Sequence, residues 1–201
     1  VANLRAQLET LNGITFTGET KTGTAIMKAG ADGIRPVSLE LGGQNAAVVF
    51  ADCDFDNTIA TLTRSCFENA GQVCLGTERV YVERPIFDKV VAAMKHTAET
   101  MKPGRPFDAD TKIGPLVSKK HQAKVLGMYA KAKAEGANIV CGGGIPDMSD
   151  ELKDGCWVQP TIWTGLPETA TVVTEEIFGP CCHIQPFDTE EEVLNMVNAN
   201  R

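Results

Sequence analysis

A chain of 201 residues with 43% apolar side chains can bury a core of ordinary size, as one large domain or as one domain and part of another. Its formal charge of -7, with no cluster of Lys and Arg, argues against a nucleic-acid partner and against an anionic membrane patch, and points to small-molecule chemistry. No apolar run approaches the roughly 18 residues that cross a bilayer, so a soluble protein with no membrane partner is expected.

In chain order, the run Ile14-Phe16 predicts a strand and the amphipathic stretch 20–31 a helix. Val37-Leu39 and Ala47-Phe50 predict two more strands, and 54–70 a helix begun by the N-cap Asp54. Arg79-Glu83 reads as a strand, and 85–101 and 118–135 as helices, the second capped by Ser118. Asn138-Cys141 and Cys182-Pro186 read as strands, and 189–199 as a helix whose Thr189 and Glu192 form a capping box. Pro103-Gly104, Gly142-Gly143-Gly144 and Gly179-Pro180 punctuate the loops. Strands alternating with helices predict an α/β fold, a mostly parallel sheet flanked by helices. A domain boundary is expected at residues 40–43, giving a first part over 1–41 that ends a Rossmann-like βαβ unit and a second part over 42–201. The opening Val1, which is not Met, and the stop at Asn200-Arg201 directly after a helical run suggest an internal segment of a longer protein.

The seven cysteines (53, 66, 74, 141, 156, 181 and 182) are odd in number and hold no C-x-x-C pair, which predicts reduced thiols in a cytoplasmic protein. His96, His121 and His183 lack metal-ligand spacing, and no metal is expected.

Four strings carry possible chemistry. Phe16-Thr17-Gly18-Glu19-Thr20-Lys21-Thr22-Gly23 takes a strand through a glycine turn into a helix, where free N–H groups and a positive dipole end suit a phosphate. It lacks the endings of the common phosphate and dinucleotide loops, so an ordinary βα turn explains it as well. In Leu39-Glu40-Leu41-Gly42-Gly43 a carboxylate flanked by two leucines is expected to be partly desolvated, which would suit a general base; a solvated strand-end glutamate is the plainer reading. Asn69-Ala70-Gly71-Gln72-Val73-Cys74 delivers a cysteine on a glycine turn just after a helix, where an exposed thiolate could attack a carbonyl carbon and where the helix end is expected to favour the thiolate. A buried structural thiol is the alternative, and fits the other six. Glu175-Glu176-Ile177-Phe178-Gly179-Pro180 sets a carboxylate and an aromatic on one turn, a combination able to hold a ribose diol.

Their order and spacing resemble the aldehyde dehydrogenase superfamily, on the strings FTGETKTG, LELGGQNAAVVFADCDFD, ENAGQVCLGTERVYVERPIFDKVV and EEIFGP, from about residue 10 to the end. The resemblance implies oxidation of an aldehyde to a carboxylic acid with NAD, NADP being the alternative, through a thiohemiacetal and a thioester. It matches Cys74 to the nucleophile and Glu40 to the base that activates the thiol or the deacylating water. Gly18, Glu19, Thr20 and Gly23 match the turn on the pyrophosphate side, and Leu41 a backbone contact to the nicotinamide amide. Glu176 matches the ribose-binding glutamate, with Phe178 beside it. It further implies that 1–41 is the end of the NAD(P)-binding domain, that 42–201 is the catalytic domain, and that the parent protein is a homo-oligomer acting on a small aldehyde. Within the superfamily, Asn45 to Asp56 together with Gly76-Thr77-Glu78-Arg79 most resembles the 2-hydroxymuconic and 2-aminomuconic semialdehyde dehydrogenases.

Two positions depart from the pattern. Glu19 stands where a small hydroxyl residue is usual, so its charge must turn from a pyrophosphate or pair with a cation such as Lys21, and Gln44 stands where lysine is frequent. The family's asparagine oxyanion donor, its ribose lysine and its adenosine-binding strands fall before Val1, and its oligomerisation strand after Arg201. The segment alone is therefore expected to be inactive, and a folded non-catalytic piece with a reactive thiol stands as the rival to an enzyme. Glu40 argues against phosphorylating or CoA-acylating relatives, which typically lack that base.

Overall fold

A computed structural model of the chain describes residues 11–199; Val1 and Asn200-Arg201, the ends read as cut, lie outside them. The chain divides after Gly43 into two compact units.

The first unit is a βαβ arrangement. Strand β1 (Ile14–Thr17) pairs in parallel with β2 (Val37–Glu40), and helix α1 (Thr20–Ala31) packs on both. Two buried glycines seven residues apart let the helix approach the second strand. A Cβ on Gly23 would lie 2.6 Å from the Leu41 side chain, and one on Gly30 would lie 2.9 Å from that of Val37.

The second unit is built on a five-stranded sheet in the order β3-β4-β7-β6-β5. Its strands are β3 (Asn45–Val49), β4 (Thr77–Glu83), β5 (Asn138–Cys141), β6 (Thr161–Thr164) and β7 (Cys181–Phe187). All pairings are parallel except β5 with β6, so one antiparallel edge strand closes an otherwise parallel sheet. Helices α2 (Phe55–Phe67) and α3 (Phe87–Thr100) cover one face, where Val80, Val82, Ile162, Cys182 and Ile184 meet Leu62, Phe67, Val90 and Met94. On the other face Trp163, Cys181 and Ile177 pack with Val125 and Tyr129 of α4 (Lys119–Ala134), and the ring of Tyr129 meets that of Trp163 edge-on at 5.9 Å. Farther along this face, α6 (Glu190–Asn198) brings Val193 onto Tyr81 and Phe187. The fold is α/β, as the sequence predicts.

The three N-caps form as expected: Asp54 accepts from the N–H of Asn57, Ser118 from that of His121 and Thr189 from that of Glu192. The box at α6 is one residue wider than expected, because the Glu192 carboxylate takes the N–H of Asp188. Three expectations need correction. The helix expected over 54–70 ends at Phe67, because Asn69 and Ala70 turn left-handed, with φ of 52° and 56°. Phe50 falls outside β3. The sequence reading also gave neither β6 nor the short helix α5 (Thr171–Thr174).

On β7, His183 is 1% exposed, and burial pushes its imidazole from the ordinary 6.5 down to about 4. The ring is therefore neutral in the folded protein. Above pH 6.5 folded and unfolded chains are alike and its contribution is complete. Between pH 6.5 and 4 the unfolded chain takes up a proton that the folded one refuses, so stability is lost as the pH falls. Urea melts of the protein and of His183→Gln at pH 7 and pH 4 should show the unsubstituted protein's relative stability falling by on the order of 3 kcal/mol. A pH-independent difference would mean that the folded chain protonates this ring as readily as the unfolded one.

Candidate active site

The first unit gathers Gly18, Glu19, Thr20, Gly23, Glu40 and Leu41 at the end of its βαβ turn. Thr17 is in register with Glu40, and Gly18, at φ 156°, donates its N–H to the Glu40 carbonyl at 2.9 Å. Glu19 holds the N-cap position of α1 with an extended backbone, but its exposed side chain does not cap the helix. Its carbonyl accepts from the N–H groups of Thr22 and Gly23. The partial desolvation expected for Glu40 is not found, since its side chain is exposed. Neighbours along a strand point to opposite faces, so Leu39 and Leu41 cannot cover a carboxylate between them.

In the second unit the chain leaves α2 through three consecutive left-handed residues, Asn69, Ala70 and Gly71. Conformations of this kind cost roughly 1–2 kcal/mol for a residue with a Cβ, and reciprocal bonds offset the cost. The Asn69 amide donates to the Gln72 carbonyl and the Gln72 amide to the Asn69 carbonyl, while Gln72 Oε1 accepts from the N–H of Val117. Asn45 Nδ2 then donates to the carbonyls of Cys74 and Gly76, at 2.6 and 3.0 Å. The result is an anchored backbone with an outward side chain. Cys74 is exposed, whereas Cys66, Cys141, Cys181 and Cys182 are buried and Cys53 and Cys156 half-buried. Burial pushes the Cys141 thiol up to about 11 and that of Cys181 well above its ordinary value, leaving both protonated. The helix end that precedes Cys74 is the carbonyl, electronegative end of α2, so the helix contribution expected for the thiolate does not come from that dipole.

Gly71 abuts a second turn, the one that ends at Gly179-Pro180. A Cβ on it would lie 2.0 Å from the carbonyl oxygen of Gly179, so only glycine lets the two turns touch. Residues 175–178 of that second turn are held by their backbone groups. Gln44 donates to the Glu175 carbonyl at 2.6 Å and Lys124 to the Glu176 carbonyl at 3.1 Å, and the His121 ring meets the Phe178 carbonyl at 2.6 Å. The N–H groups of Ile177 and Phe178 donate to the Glu78 carboxylate. Phe178 takes a left-handed φ of 60° and sets its ring edge-on to His121. Cys74, Glu176 and Phe178 thus belong to two interlocked turns. Asn45, Glu78, His121 and Lys124, which hold those turns, escaped the sequence reading because no spacing marks them.

Residues 2–201 match the aldehyde dehydrogenase family. The chain is 62% identical to 2-hydroxymuconic semialdehyde dehydrogenase of Pseudomonas sp. (strain CF600) over 189 residues, 94% of this chain and 39% of that protein. It is 52% identical to 2-aminomuconic 6-semialdehyde dehydrogenase of Pseudomonas sp. over 191 residues, 95% of this chain and 39% of that protein. The chain therefore spans about two-fifths of the length of these relatives. Betaine aldehyde dehydrogenase from Staphylococcus aureus, solved with NAD+, superposes with a TM-score of 0.91 at 38% identity over 94% of this chain and 37% of its own. An aldehyde dehydrogenase from Bacillus cereus, also solved with NAD+, gives 0.90 at 37% identity over 94% of this chain and 38% of its own. Motifs, fold and relatives agree that the chain belongs to the aldehyde dehydrogenase family.

Proposed function

We propose that the whole protein oxidises an aldehyde, specifically a semialdehyde, to the carboxylic acid with NAD+, the first unit ending the cofactor domain and the second forming the catalytic domain. The semialdehyde assignment is supported by the two most similar relatives named above, both semialdehyde dehydrogenases. NADP+ is the alternative cofactor. The carrying observation is that Cys74, the exposed thiol among the described residues, sits on an anchored turn that touches the turn of Glu176.

The residues fit a dinucleotide. Gly18 takes a positive φ and the N-terminus of α1 carries no side-chain cap, which leaves amides and a positive dipole end for a pyrophosphate. NAD+ when bound supplies the hydride acceptor. Glu40 takes the thiol proton as Cys74 Sγ bonds to the aldehyde carbon, giving a thiohemiacetal oxyanion. Collapse of that oxyanion expels hydride from the same carbon and leaves a thioester on Cys74. Once it has passed the thiol proton to solvent, Glu40 takes a proton from the water that attacks the thioester; the acid is released, Cys74 Sγ leaves as the thiolate, and the proton on Glu40 returns it to the thiol. Glu176 holds the ribose, and Leu41 the nicotinamide amide through its backbone.

Limiting iodoacetamide followed by peptide mapping should label Cys74 first, and acid should form without added CoA. Earlier labelling of Cys53 or Cys156 would sink the nucleophile assignment.

A further inference from the structure

Glu78 takes no part in the chemistry above. It is the extra residue at a β-bulge: Asn45 of β3 pairs with Thr77 and Ala46 with Arg79, which leaves Glu78 between them without a partner in the ladder. A bulge breaks the alternation of a strand and re-aims one side chain. Here it turns the carboxylate onto the second turn, where Oε2 accepts the N–H of Ile177 at 2.9 Å and Oε1 that of Phe178 at 2.8 Å. We propose that Glu78 is a positioning residue for the cofactor, its two-oxygen clasp fixing the backbone of the 175–178 turn so that Glu176 is presented to the nicotinamide ribose. The inference rests on the reading of Glu176 given above.

Two adjacent amides aimed at one point form an anion site. A carboxylate fills it with both oxygens, whereas a protonated acid or an amide offers one good acceptor and sets a donor against the other N–H. Burial, opposed by the two N–H bonds, pushes Glu78 up from 4.5 to about 7; Glu176 raises it further and Lys124 lowers it. The other titratable groups around it are Tyr129 on α4 and Cys181 and Cys182 on β7, while His121 of α4 meets the same turn at the Phe178 carbonyl. The clasp is whole above pH 7 and loosens below it, so NAD+ affinity falls as the pH falls through that value.

The test uses the full-length protein and two readouts. In the cofactor-free protein, Glu78→Gln should lower the hydrogen-exchange protection of the Ile177 and Phe178 amides by about tenfold or more. By calorimetry, the same change should raise the Kd for NAD+ by about tenfold and abolish its inflection near pH 7, whereas His121→Gln should keep the inflection. Unchanged amide protection, or an inflection that disappears with His121 and survives in Glu78→Gln, overturns the proposal. If NAD+ affinity is unchanged in both Glu78→Gln and Glu176→Gln while protection is lost, the assignment of Glu176 to the ribose fails and the clasp stands only as a structural bond. Should Glu78→Gln not fold, the pH profile of the unsubstituted protein decides, because a Kd flat from pH 6 to 8 overturns the proposal.

Discussion

Replacing Cys74 by alanine in the full-length protein is expected to lower aldehyde oxidation by roughly 10⁴-fold or more, the scale of loss when a covalent nucleophile is removed. Without the sulfur there is no tetrahedral adduct from which hydride can leave, and no neighbouring thiol can substitute. Cys66, Cys141, Cys181 and Cys182 are buried, and Cys53 and Cys156 are half-buried. The exposed side chain at position 74 contributes little to packing, so the melting temperature should stay within a few degrees. NADH absorbance with a semialdehyde substrate, alongside a thermal melt, checks both halves. Activity within tenfold of the unsubstituted protein would show that the chemistry runs without a covalent intermediate on this residue.

The second large effect is expected at Glu40, where Glu40→Gln keeps the size of the side chain and removes its basicity. Loss of a general base should cost on the order of 100-fold in turnover. The time course separates the two proton transfers assigned to it. If the base acts mainly on the deacylating water, NADH appears in a burst of about one equivalent per site and then slows. If it acts mainly on the thiol, the burst itself is slow. Glu40 is exposed at the end of β2, so its replacement should leave the fold intact, and circular dichroism checks this. Turnover within a few-fold of the unsubstituted protein would return Glu40 to an ordinary strand-end glutamate.

What was legible in the chain follows the physics of each element. Amphipathic helices announce themselves by period, and the longer buried strands by their apolar and β-branched runs, so α1, α3, α4 and α6 and strands such as β4 and β7 are legible to within a few residues. Thr161, Ile162 and Trp163 of β6 are all buried, so no alternation betrays a four-residue strand. The helix over 54–70 was drawn too long because its apolar stripe runs up to Phe67, while the left-handed break at Asn69 and Ala70 depends on bonds made after folding. The motif around Cys74 could be read because its chemistry and its local turn lie within six residues. The clasp of Glu78 could not, because its partners come 99 and 100 residues later. Glu40 shows the reverse error, a local inference about desolvation defeated by the simple geometry of a strand.

The contact of Gly71 with Gly179 also sets a timetable. Translation reaches the second glycine 108 residues after the first, which at about 5–20 residues per second is roughly 5–20 s. Until then the turn before Cys74 lacks the neighbour that packs against it, and β4 lacks β7 at its side. The exposed sulfur of Cys74 is thus made early and housed late, and a nascent chain stalled between these points would carry it on an unfinished scaffold, open to oxidants and to stray electrophiles.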